Sequence, residues 1–444
     1  MHYTPHTDAD VAEMLGALKL DEPADLFAHL PPQLLLDRPL KLHQGMAELD
    51  LVSWIDETAS HNRSELICFA GGGFYDHYLP PVVRTLTMRP EFVTSYTPYQ
   101  PEVSQGVLQA LFEFQSMVCA ITGMEVANAS LYDGASAGVE AVNVAVGATG
   151  RNVIWISRGV SPRTREAIET FSRARSLELI EHPLVGGRTA WDVAAAGPPA
   201  GVITAQPNYL GVIEQYDPVV DMAHGLGALA IAQIDPIMMG MLRRPGEAGF
   251  DVVFGEGQPL GNPLSFGGPV VGLFATTKKE VRRIPGRLIG KTVDGSGRTA
   301  YSMTLRAREQ DIRREKASSN ICTNQSLNAI AAAWQMAWLG PQGLAEIADR
   351  SVQKAHYLAR KLAQLKGVAL AVEAPFGREF PVMLPLEPVD VVKAMADHGF
   401  LAGIPLPADY PEFPGGLLVA VTEKRTKRQL DEYADALEEV LKNG

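Results

Sequence analysis

The sequence predicts an α/β fold in which a parallel or mixed sheet is covered by helices on both faces. Short apolar runs of the length of buried strands recur through the middle of the chain, and helical patterns such as 162–175 separate several of them. This strand–helix–strand repetition is typical of such a sheet. The strand-like runs are 152–157, 176–182, 201–207, 228–235, 251–257 and 269–277.

The remainder of the chain divides around this central part. Helical periodicity begins near position 106 and again near Asp133, and Gly123 ends the first of these helices. A long helix is predicted at 343–365, followed by alternating strand-like and helix-like runs. The first 60 residues have short polar helices between proline-marked turns and cannot form their own core, so we expect them to wrap another part of the protein or a partner chain. We predict an amino-terminal arm at 1–60, a large domain at 61–330 and a small carboxy-terminal α/β domain at 331–444.

Composition narrows the class of function. A chain of 444 residues with 46% hydrophobic content can bury a large core. The net charge of -12 argues against generic binding to nucleic acid or anionic membranes. No apolar run reaches the length of a membrane span and the amino terminus does not resemble a secretory signal, so we expect a cytoplasmic protein. The cysteines form no CxxC pair and the histidines have no metal spacing, so neither a disulfide framework nor a metal site is expected.

One segment, TSYTPYQPEVSQG at 94–106, is suited to hold functional groups. Its two prolines fix φ and disfavour helix, so Tyr96 and Tyr99 lie on a stiff, irregular stretch of chain. The alternative is an ordinary loop whose tyrosines pack on the surface. A glycine-rich segment at 69–81 would let a ligand approach its backbone, but it lacks the GK[ST] of a phosphate-binding P-loop.

Four motifs occur together in this chain: GGGFYDHYLP at 71–80, the segment at 94–106, FQSMVCAITGMEVANASLYDGASA at 114–137 and REQDIRREKASSNICTNQ at 308–325. Together they resemble glycine decarboxylase, the P-protein of the glycine cleavage system, which depends on pyridoxal phosphate (PLP). The resemblance implies a PLP-dependent transferase of fold type I, with a mostly parallel sheet in the large domain and a smaller α/β domain after it. The length resembles the alpha subunit, or amino-terminal half, of that family. Its beta subunit carries the lysine that forms a Schiff base with PLP.

The Schiff-base lysine is missing from the corresponding place in this chain. No lysine occurs from position 42 to position 277, but arginine outnumbers lysine 26 to 13, so composition alone could produce the gap. By resemblance the lysine would follow the strand at 251–257, where this chain reads GQPLG. Lys278 and Lys279 are expected to be exposed charges at a helix start. Asp235 follows a strand where PLP folds often place the aspartate that pairs with the pyridine nitrogen, and we interpret it as a remnant of a lost site.

The resemblance also implies that this chain contributes to a site held by its partner, because fold type I enzymes build the active site at a subunit interface. Tyr96, Tyr99 and Glu102 are expected to act in the partner's site, with the tyrosines bordering the cofactor ring and the substrate. Glu102 and Gln105 would supply polar contacts or hold the segment. The stretch 316–320 would reach the cofactor phosphate, and it could also cap the helix that follows. The predicted cofactor contacts are Thr97, Gln105, Ser318, Ser319 and Asn320.

Two further features leave alternatives open. His77 has either a structural role or a role in proton transfer. Eight arginines make the region 282–314 locally basic, and one or two of them would bind a substrate carboxylate or guide the lipoyl H-protein, whereas most are expected to be surface ion-pair partners. These arginines are Arg282, Arg283, Arg287, Arg298, Arg306, Arg308, Arg313 and Arg314.

The expected function is therefore that of the alpha subunit of glycine dehydrogenase (aminomethyl-transferring). The resemblance implies an α2β2 assembly with a beta subunit that holds PLP covalently, glycine as substrate, and transfer of the aminomethyl group to the lipoyl H-protein. A self-sufficient PLP lyase that uses Lys278, Lys291 or Lys316 is one alternative. A structural or regulatory paralogue without active-site contacts is another.

Overall fold

The computed structural model describes residues 5–193 and 197–443, which divide into two compact units between Ser64 and Glu65. The first unit contains helices α1 (Asp8–Leu18) and α2 (Glu48–Ser60). Thr7 caps α1, because its hydroxyl accepts the Asp10 N–H at 3.3 Å while the Asp10 carboxylate accepts the Thr7 N–H at 2.7 Å. None of the residues 5–64 is buried, so this unit has no apolar core of its own.

The second unit alternates helices with strands along the chain. Its helices are α3 (Pro81–Thr87), α4 (Pro90–Val93), α5 (Gln105–Thr122), α6 (Gly134–Thr149), α7 (Pro162–Ala174), α8 (Tyr216–Gly225), α9 (Pro245–Ala248), α10 (Gln310–Arg313), α11 (Ser326–Leu362), α12 (Pro388–Asp397) and α13 (Lys427–Asn443). The break in α11 lies at Gly340, whose φ of 62° and ψ of 178° are not helical, and Pro341 follows. The helix predicted at 343–365 is therefore the second part of α11.

The strands form one large sheet and several small ones. They are β1 (Ile67–Cys68), β2 (Val126–Ala127), β3 (Val153–Ser157), β4 (Glu178–His182), β5 (Leu184–Val185), β6 (Arg188–Thr189), β7 (Gly201–Gln206), β8 (Leu229–Ile234), β9 (Val252–Glu256), β10 (Gly272–Thr276), β11 (Leu288–Val293), β12 (Thr299–Thr304), β13 (Ala369–Leu370), β14 (Glu379–Met383), β15 (Phe400–Leu401), β16 (Ile404–Pro405) and β17 (Gly416–Ala420). The large sheet has the order β2-β10-β9-β8-β7-β3-β4. Strands β9, β8, β7, β3 and β4 are parallel, and β10 is antiparallel to β9 and β2. The predicted mostly parallel sheet is confirmed.

Apolar side chains bury both faces of the large sheet. Along β3, Ile154 and Ile156 join one core together with Ile168 of α7, whereas Trp155 joins the core on the other face with Leu108 of α5. Because successive side chains alternate between two covered faces, the strand reads as a continuous apolar run rather than an alternating one.

The carboxy-terminal part forms a second sheet with its own core. This antiparallel sheet has the order β13-β14-β17-β16. Phe380 and Val419 of the sheet pack with Val391 of α12 and Leu437 of α13. Helix α11 contributes to both cores, since its residues up to Ala348 pack into the large-sheet core and those from Ala355 to Leu362 pack into this one.

The sequence analysis does not predict the hairpin of β11 and β12. Lys291, Thr292 and Val293 of β11 are exposed, so the hairpin lacks the apolar pattern that identifies a buried strand. Its position is set by Tyr301 of β12, whose ring centre lies 5.3 Å from that of Phe112 in α5. The hairpin therefore extends the surface beside the amino-terminal end of α5.

Within the two described ranges, no helix is both long and apolar enough to cross a membrane. The same ranges contain no group of three or more side chains arranged to hold a metal ion. Cys68 and Cys119 are half-buried free thiols, and Cys322 is an exposed one.

Candidate functional site

The tyrosine segment, residues 94–106, begins after α4 and continues without helix or strand until α5 starts. Pro98 is buried and anchors it. Tyr96 and Tyr99 are 77% and 51% exposed, and Glu102 is exposed as well. The irregular conformation predicted for this segment is confirmed, and its two tyrosines are accessible on this chain.

Gln105, the first residue of α5, fastens the tyrosine segment to the hairpin. Its Nε2 donates to the carbonyl of Pro101 at 2.7 Å and to the carbonyl of Tyr301 at 2.9 Å. Its Oε1 accepts the N–H of Tyr301 at 2.9 Å. Both the oxygen and the nitrogen of the side-chain amide are hydrogen-bonded within the chain. Of the two roles predicted for Gln105, the geometry therefore favours holding the tyrosine segment in place.

Tyr99 meets the basic region of the chain. Arg287 donates from Nη2 to the Tyr99 hydroxyl at 3.4 Å, and its guanidinium carbon lies 5.6 Å from the ring centre. The guanidinium carbon of Arg306 lies 5.2 Å from the same ring centre. An arginine at this distance from a tyrosine ring is attracted by its π-electrons. Two segments that the sequence presents separately are therefore adjacent.

Arg287 also holds the residues that precede α11. Its Nη1 donates to Thr323 Oγ1 at 3.1 Å and to Asn324 Oδ1 at 2.9 Å, and its Nη2 donates to the carbonyl of Cys322 at 3.1 Å. Arg287 is only 3% exposed. Sequence reasoning counts it as one of eight similar arginines, since its partners lie 35 to 188 positions away and leave no local signal.

The stretch predicted to reach a phosphate is only partly exposed. Ser318 and Asn320 are exposed, whereas Ser319 is half-buried and its hydroxyl accepts the N–H of Ile321 at 3.1 Å. Burial raises the pKa of Glu140, a buried residue of α6, although the Ser319 hydroxyl lowers it. Helix α11 begins at Ser326 without a side-chain cap, so the alternative that this stretch caps the helix is wrong.

The eight arginines do not share one environment. Among the described residues, three of them form ion pairs, fewer than the majority that was expected, and Arg287 is buried and Arg308 is partly buried. The ion pairs join Arg283 to Glu280 at 2.7 Å, Arg298 to Asp294 at 2.9 Å and Arg306 to Asp311 at 3.0 Å.

A second cluster, which we call the Asp235 pocket, comprises Tyr75, Asp235, Gln258, Arg378 and Glu379. Asp235 follows β8, as predicted, and one of its carboxylate oxygens lies 2.5 Å from Nη2 of Arg378. Arg378 is 1% exposed, and its guanidinium carbon lies 3.6 Å from the ring centre of Tyr75. Gln258, which follows β9, accepts the Tyr75 N–H at 2.9 Å and donates to the carbonyl of Asn262 at 2.8 Å.

Hydrogen bonds hold the other groups of the Asp235 pocket in place. Glu379 accepts from the Tyr75 hydroxyl at 2.8 Å and from the Gly72 N–H at 2.7 Å. Burial raises the pKa of Glu379 to about 7. His77 lies between Arg378 and Glu423, with its Nδ1 at 2.5 Å from the Glu423 carboxylate. Burial and the charge of Arg378 lower the pKa of His77, and these contacts favour the structural role among the two predicted for it.

The Asp235 pocket does not fit PLP. The cavity that Asp235 lines has a volume of about 50 Å³, whereas ligand sites usually offer roughly 300 Å³ or more. The carboxylate that would pair with a pyridine nitrogen is already paired with Arg378, and Gln258 carries no amine that could form an imine. The interpretation of Asp235 as a remnant agrees with this geometry.

Comparisons with known proteins agree with the motifs. The family described as "Glycine cleavage system P-protein" matches residues 1–437. This chain belongs to that family. A crystal structure titled glycine decarboxylase (P-protein) of the glycine cleavage system, in inhibitor-bound form, is 43% identical with a TM-score of 0.89, covering 99% of this chain and 100% of that one.

Two relatives of this P-protein family member carry the name "Probable glycine dehydrogenase (decarboxylating) subunit 1". The protein from Moorella thermoacetica is 46% identical and the one from Geotalea uraniireducens 45% identical, each covering 99% of this chain and 100% of the relative. A cysteine desulfurase, CsdA from Escherichia coli, shares the fold with a TM-score of 0.63 at 13% identity. The predicted fold, that of PLP-dependent transferases of fold type I, is confirmed.

In this P-protein family member, the three lysines that could serve a self-sufficient enzyme do not line the cavity beside Asp235. Lys278, Lys291 and Lys316, which the self-sufficient alternative requires, are all exposed. Lys278 lies 3.4 Å from the carboxylate of Glu125, as expected for a surface charge. None of the described residues that line the cavity beside Asp235 is a lysine. The structure gives no support to the self-sufficient alternative.

Proposed function

We propose that this chain is the alpha subunit, subunit 1, of a glycine dehydrogenase (decarboxylating) that is active only with a second subunit. The relatives that carry this name match the chain over their whole length. The observation that carries the proposal is that Arg378 already pairs with Asp235 in the Asp235 pocket. A chain with this fold that pairs Asp235 with Arg378 and has Gln258 after β9 needs another chain to supply the Schiff-base lysine.

The second subunit is proposed to be a beta subunit that holds PLP covalently in an α2β2 assembly in the cytoplasm. PLP would supply the electron sink for the loss of carbon dioxide from glycine. The aminomethyl group would then pass to the lipoyl H-protein. The residues of this chain would border the partner's site, orient the substrate and exclude water from it.

The exposed polar groups are the ones best placed for contacts across such an interface. Tyr96, Tyr99 and Glu102 are accessible on the tyrosine segment, and Ser318 and Asn320 are accessible ahead of α11. We propose that these residues contact the partner's site directly. Thr97, Gln105 and Ser319 are bonded or buried within this chain, so their proposed role as cofactor contacts needs a local rearrangement.

Co-expression with a candidate beta subunit tests the proposed function. We expect the purified pair to exchange the carboxyl carbon of glycine with labelled bicarbonate, because the pair combines the lysine with the surface that this chain provides. Each subunit purified alone is the matched control and should be inactive. Exchange activity in this chain alone, together with PLP trapped on it by borohydride, would overturn the proposal in favour of the self-sufficient alternative.

A further inference from the structure

A groove runs along one face of the second part of α11. Two cavities, of about 670 Å³ and about 620 Å³, lie beside this helix. The helix residues that line them are three or four positions apart, as residues on one face of a helix are, and they span about 25 Å. We call the two cavities together the α11 groove, which this helix lines with Gly343, Ile347, Arg350, Lys354, Tyr357 and Arg360.

The first cavity of the α11 groove offers apolar contacts. It is lined by Trp338 and Leu339, which precede the break at Gly340, and by Ile347. Trp338 is 53% exposed, although a large aromatic side chain gains free energy when it is buried. Tryptophan is also enriched among the residues that contribute most to protein–protein binding. This end of the groove is therefore suited to an apolar part of a partner.

The second cavity is basic, although the chain has a net charge of -12. Lys354, Arg360 and Lys427 line it, and none of its described lining residues is acidic. Lys427 is paired with Asp431 at 2.7 Å, and Nζ of Lys354 donates to the carbonyl of Glu423. Arg360 is exposed, and no described carboxylate pairs with it. This end of the groove therefore attracts acidic groups.

The two acidic residues that line the first cavity do not neutralise the second one. Glu346 is paired with Arg350 at 2.5 Å, and the carboxylate of Glu423 lies 2.5 Å from Nδ1 of His77. Both carboxylates already have partners within the chain, so the positive charge of Arg360 remains available to another molecule.

The amino-terminal end of the α11 groove lies near the tyrosine segment. Trp334 is one helical turn before Trp338, and its ring centre lies 6.1 Å from that of Phe92. Phe92 belongs to α4, which directly precedes the tyrosine segment. The groove therefore leads along α11 toward the residues that are proposed to border the partner's site.

We propose that the α11 groove docks the lipoyl H-protein through an acidic, partly apolar face of that protein. This inference rests on the proposed function, in which the H-protein must reach the site beside the tyrosine segment. Opposite charges speed the approach of two proteins and orient them. A carrier that binds and leaves in each catalytic cycle is suited to such a surface. A second copy of this chain, which also has a net charge of -12, is less suited to it.

Calorimetric titration of the assembled pair with the lipoyl H-protein tests this docking. We expect Arg360→Glu and Trp338→Ala each to weaken binding roughly ten-fold or more, because the first reverses an unpaired charge and the second removes the apolar contact. Arg360→Lys keeps the charge and should bind like the wild type. Binding to the wild-type pair should weaken as the ionic strength rises. The matched control is Arg173→Glu, the same charge reversal at a residue that is 77% exposed and paired with Glu169.

The same variants separate docking from chemistry. In the glycine exchange assay, the H-protein concentration that gives half the maximal rate should rise in Arg360→Glu and Trp338→Ala. The rate at saturating H-protein should stay unchanged, because neither residue belongs to the tyrosine segment. Wild-type affinity in both variants, binding that does not respond to ionic strength, an equal loss in Arg173→Glu, or no binding by the wild-type pair overturns the proposal.

Other occupants of the groove would give different results. Size-exclusion chromatography of the variants reports assembly with the beta subunit and self-association of this chain. If Arg360→Glu and Trp338→Ala disrupt either of these, the groove belongs to that contact and the proposal is overturned. Failure of the proposed function is distinct, since it would appear as a wild-type pair that does not exchange the carboxyl carbon of glycine, while the titration still decides whether the groove binds the H-protein.

Discussion

A single buried arginine decides what the Asp235 pocket can do. Arg378 directly precedes β14 and is 1% exposed, and its guanidinium group lies between Asp235, His77 and the ring of Tyr75. A buried ion pair adds little net stability over apolar residues, but removing one partner leaves an uncompensated buried charge. The Asp235 pocket therefore depends on keeping both members of the Arg378–Asp235 pair.

Arg378→Met should destabilise the isolated chain by about 3–5 kcal/mol, because it leaves Asp235 unpaired in a buried site. Urea unfolding measures this change. The matched control is Arg298→Met, whose side chain is 79% exposed in its ion pair with Asp294 and should cost less than about 1 kcal/mol. A second substitution, Asp235→Asn, should recover part of the loss in Arg378→Met. Equal losses in the two arginine variants would refute the assigned role.

Glu379 should make stability fall as the pH rises. Its pKa in the folded chain is raised by burial to about 7, so the folded state holds this proton more tightly than the unfolded state does. The contribution to the free energy of unfolding is complete below the unfolded pKa and is lost as the pH approaches about 7. Glu379→Gln should therefore flatten the decline between about pH 5 and pH 7, measured by urea unfolding. Burial also raises the pKa of Glu256 to about 7, so a smaller decline should persist; identical slopes would contradict the assignment.

At the scale of elements, the sequence predicts the strands that are buried on both faces. It does not predict the elements whose positions depend on contacts between residues far apart in the sequence. The strands of the large sheet are continuous apolar runs because a core covers each face of the sheet. Their positions can therefore be predicted from these runs in the sequence. The β11–β12 hairpin has no such signal. The irregular tyrosine segment is predictable because its prolines act locally. The attachment of this segment through Gln105 and Arg287 is not predictable. The hydrogen bond of Gln105 to Tyr301 and that of Arg287 to Tyr99 join residues 196 and 188 positions apart.

The tyrosine segment yields a test at this scale. Tyr96→Phe and Tyr99→Phe should lower the glycine exchange rate of the assembled pair by roughly ten-fold or more, because each removes a hydroxyl that could donate in the site. Assembly, followed by size-exclusion chromatography, should change much less because the rings are retained. Tyr78→Phe, an exposed tyrosine outside the segment, is the control. Wild-type turnover in both variants would leave the segment with a structural role only.

At the scale of the whole molecule, the chain keeps the architecture of a PLP enzyme while its own cofactor position has been closed by contacts across the fold. Asp235 directly follows β8 of the large sheet, whereas Arg378 directly precedes β14 of the small sheet and Glu379 is its first residue. Sequence motifs identify the family and the missing lysine. They do not show that Arg378 pairs with Asp235, because the two residues are 143 positions apart (378 minus 235) and such a separation leaves no local pattern in the sequence.

Restoring a lysine alone should therefore not restore a cofactor site. Gln258→Lys places an amine after β9, but the 50 Å³ cavity and the Arg378–Asp235 pair leave no room or partner for the ring. We expect no PLP adduct at position 258 after borohydride reduction and peptide mapping. Surface lysines, which react in the wild type as well, serve as the internal control. A selective adduct at that position would show that the pocket opens more easily than its geometry indicates.

The Arg378–Asp235 pair also determines whether the stability of this chain depends on PLP. A protein that binds a ligand only when folded gains stability with ligand concentration, so a PLP enzyme is less stable when the cofactor is scarce. In this chain the guanidinium group of Arg378 occupies the position beside Asp235. Contacts within the chain therefore replace the stabilisation that a bound ligand would contribute. The folded population of this chain should consequently be independent of PLP supply, so the chain would be available to bind the proposed second subunit before or after that subunit binds PLP.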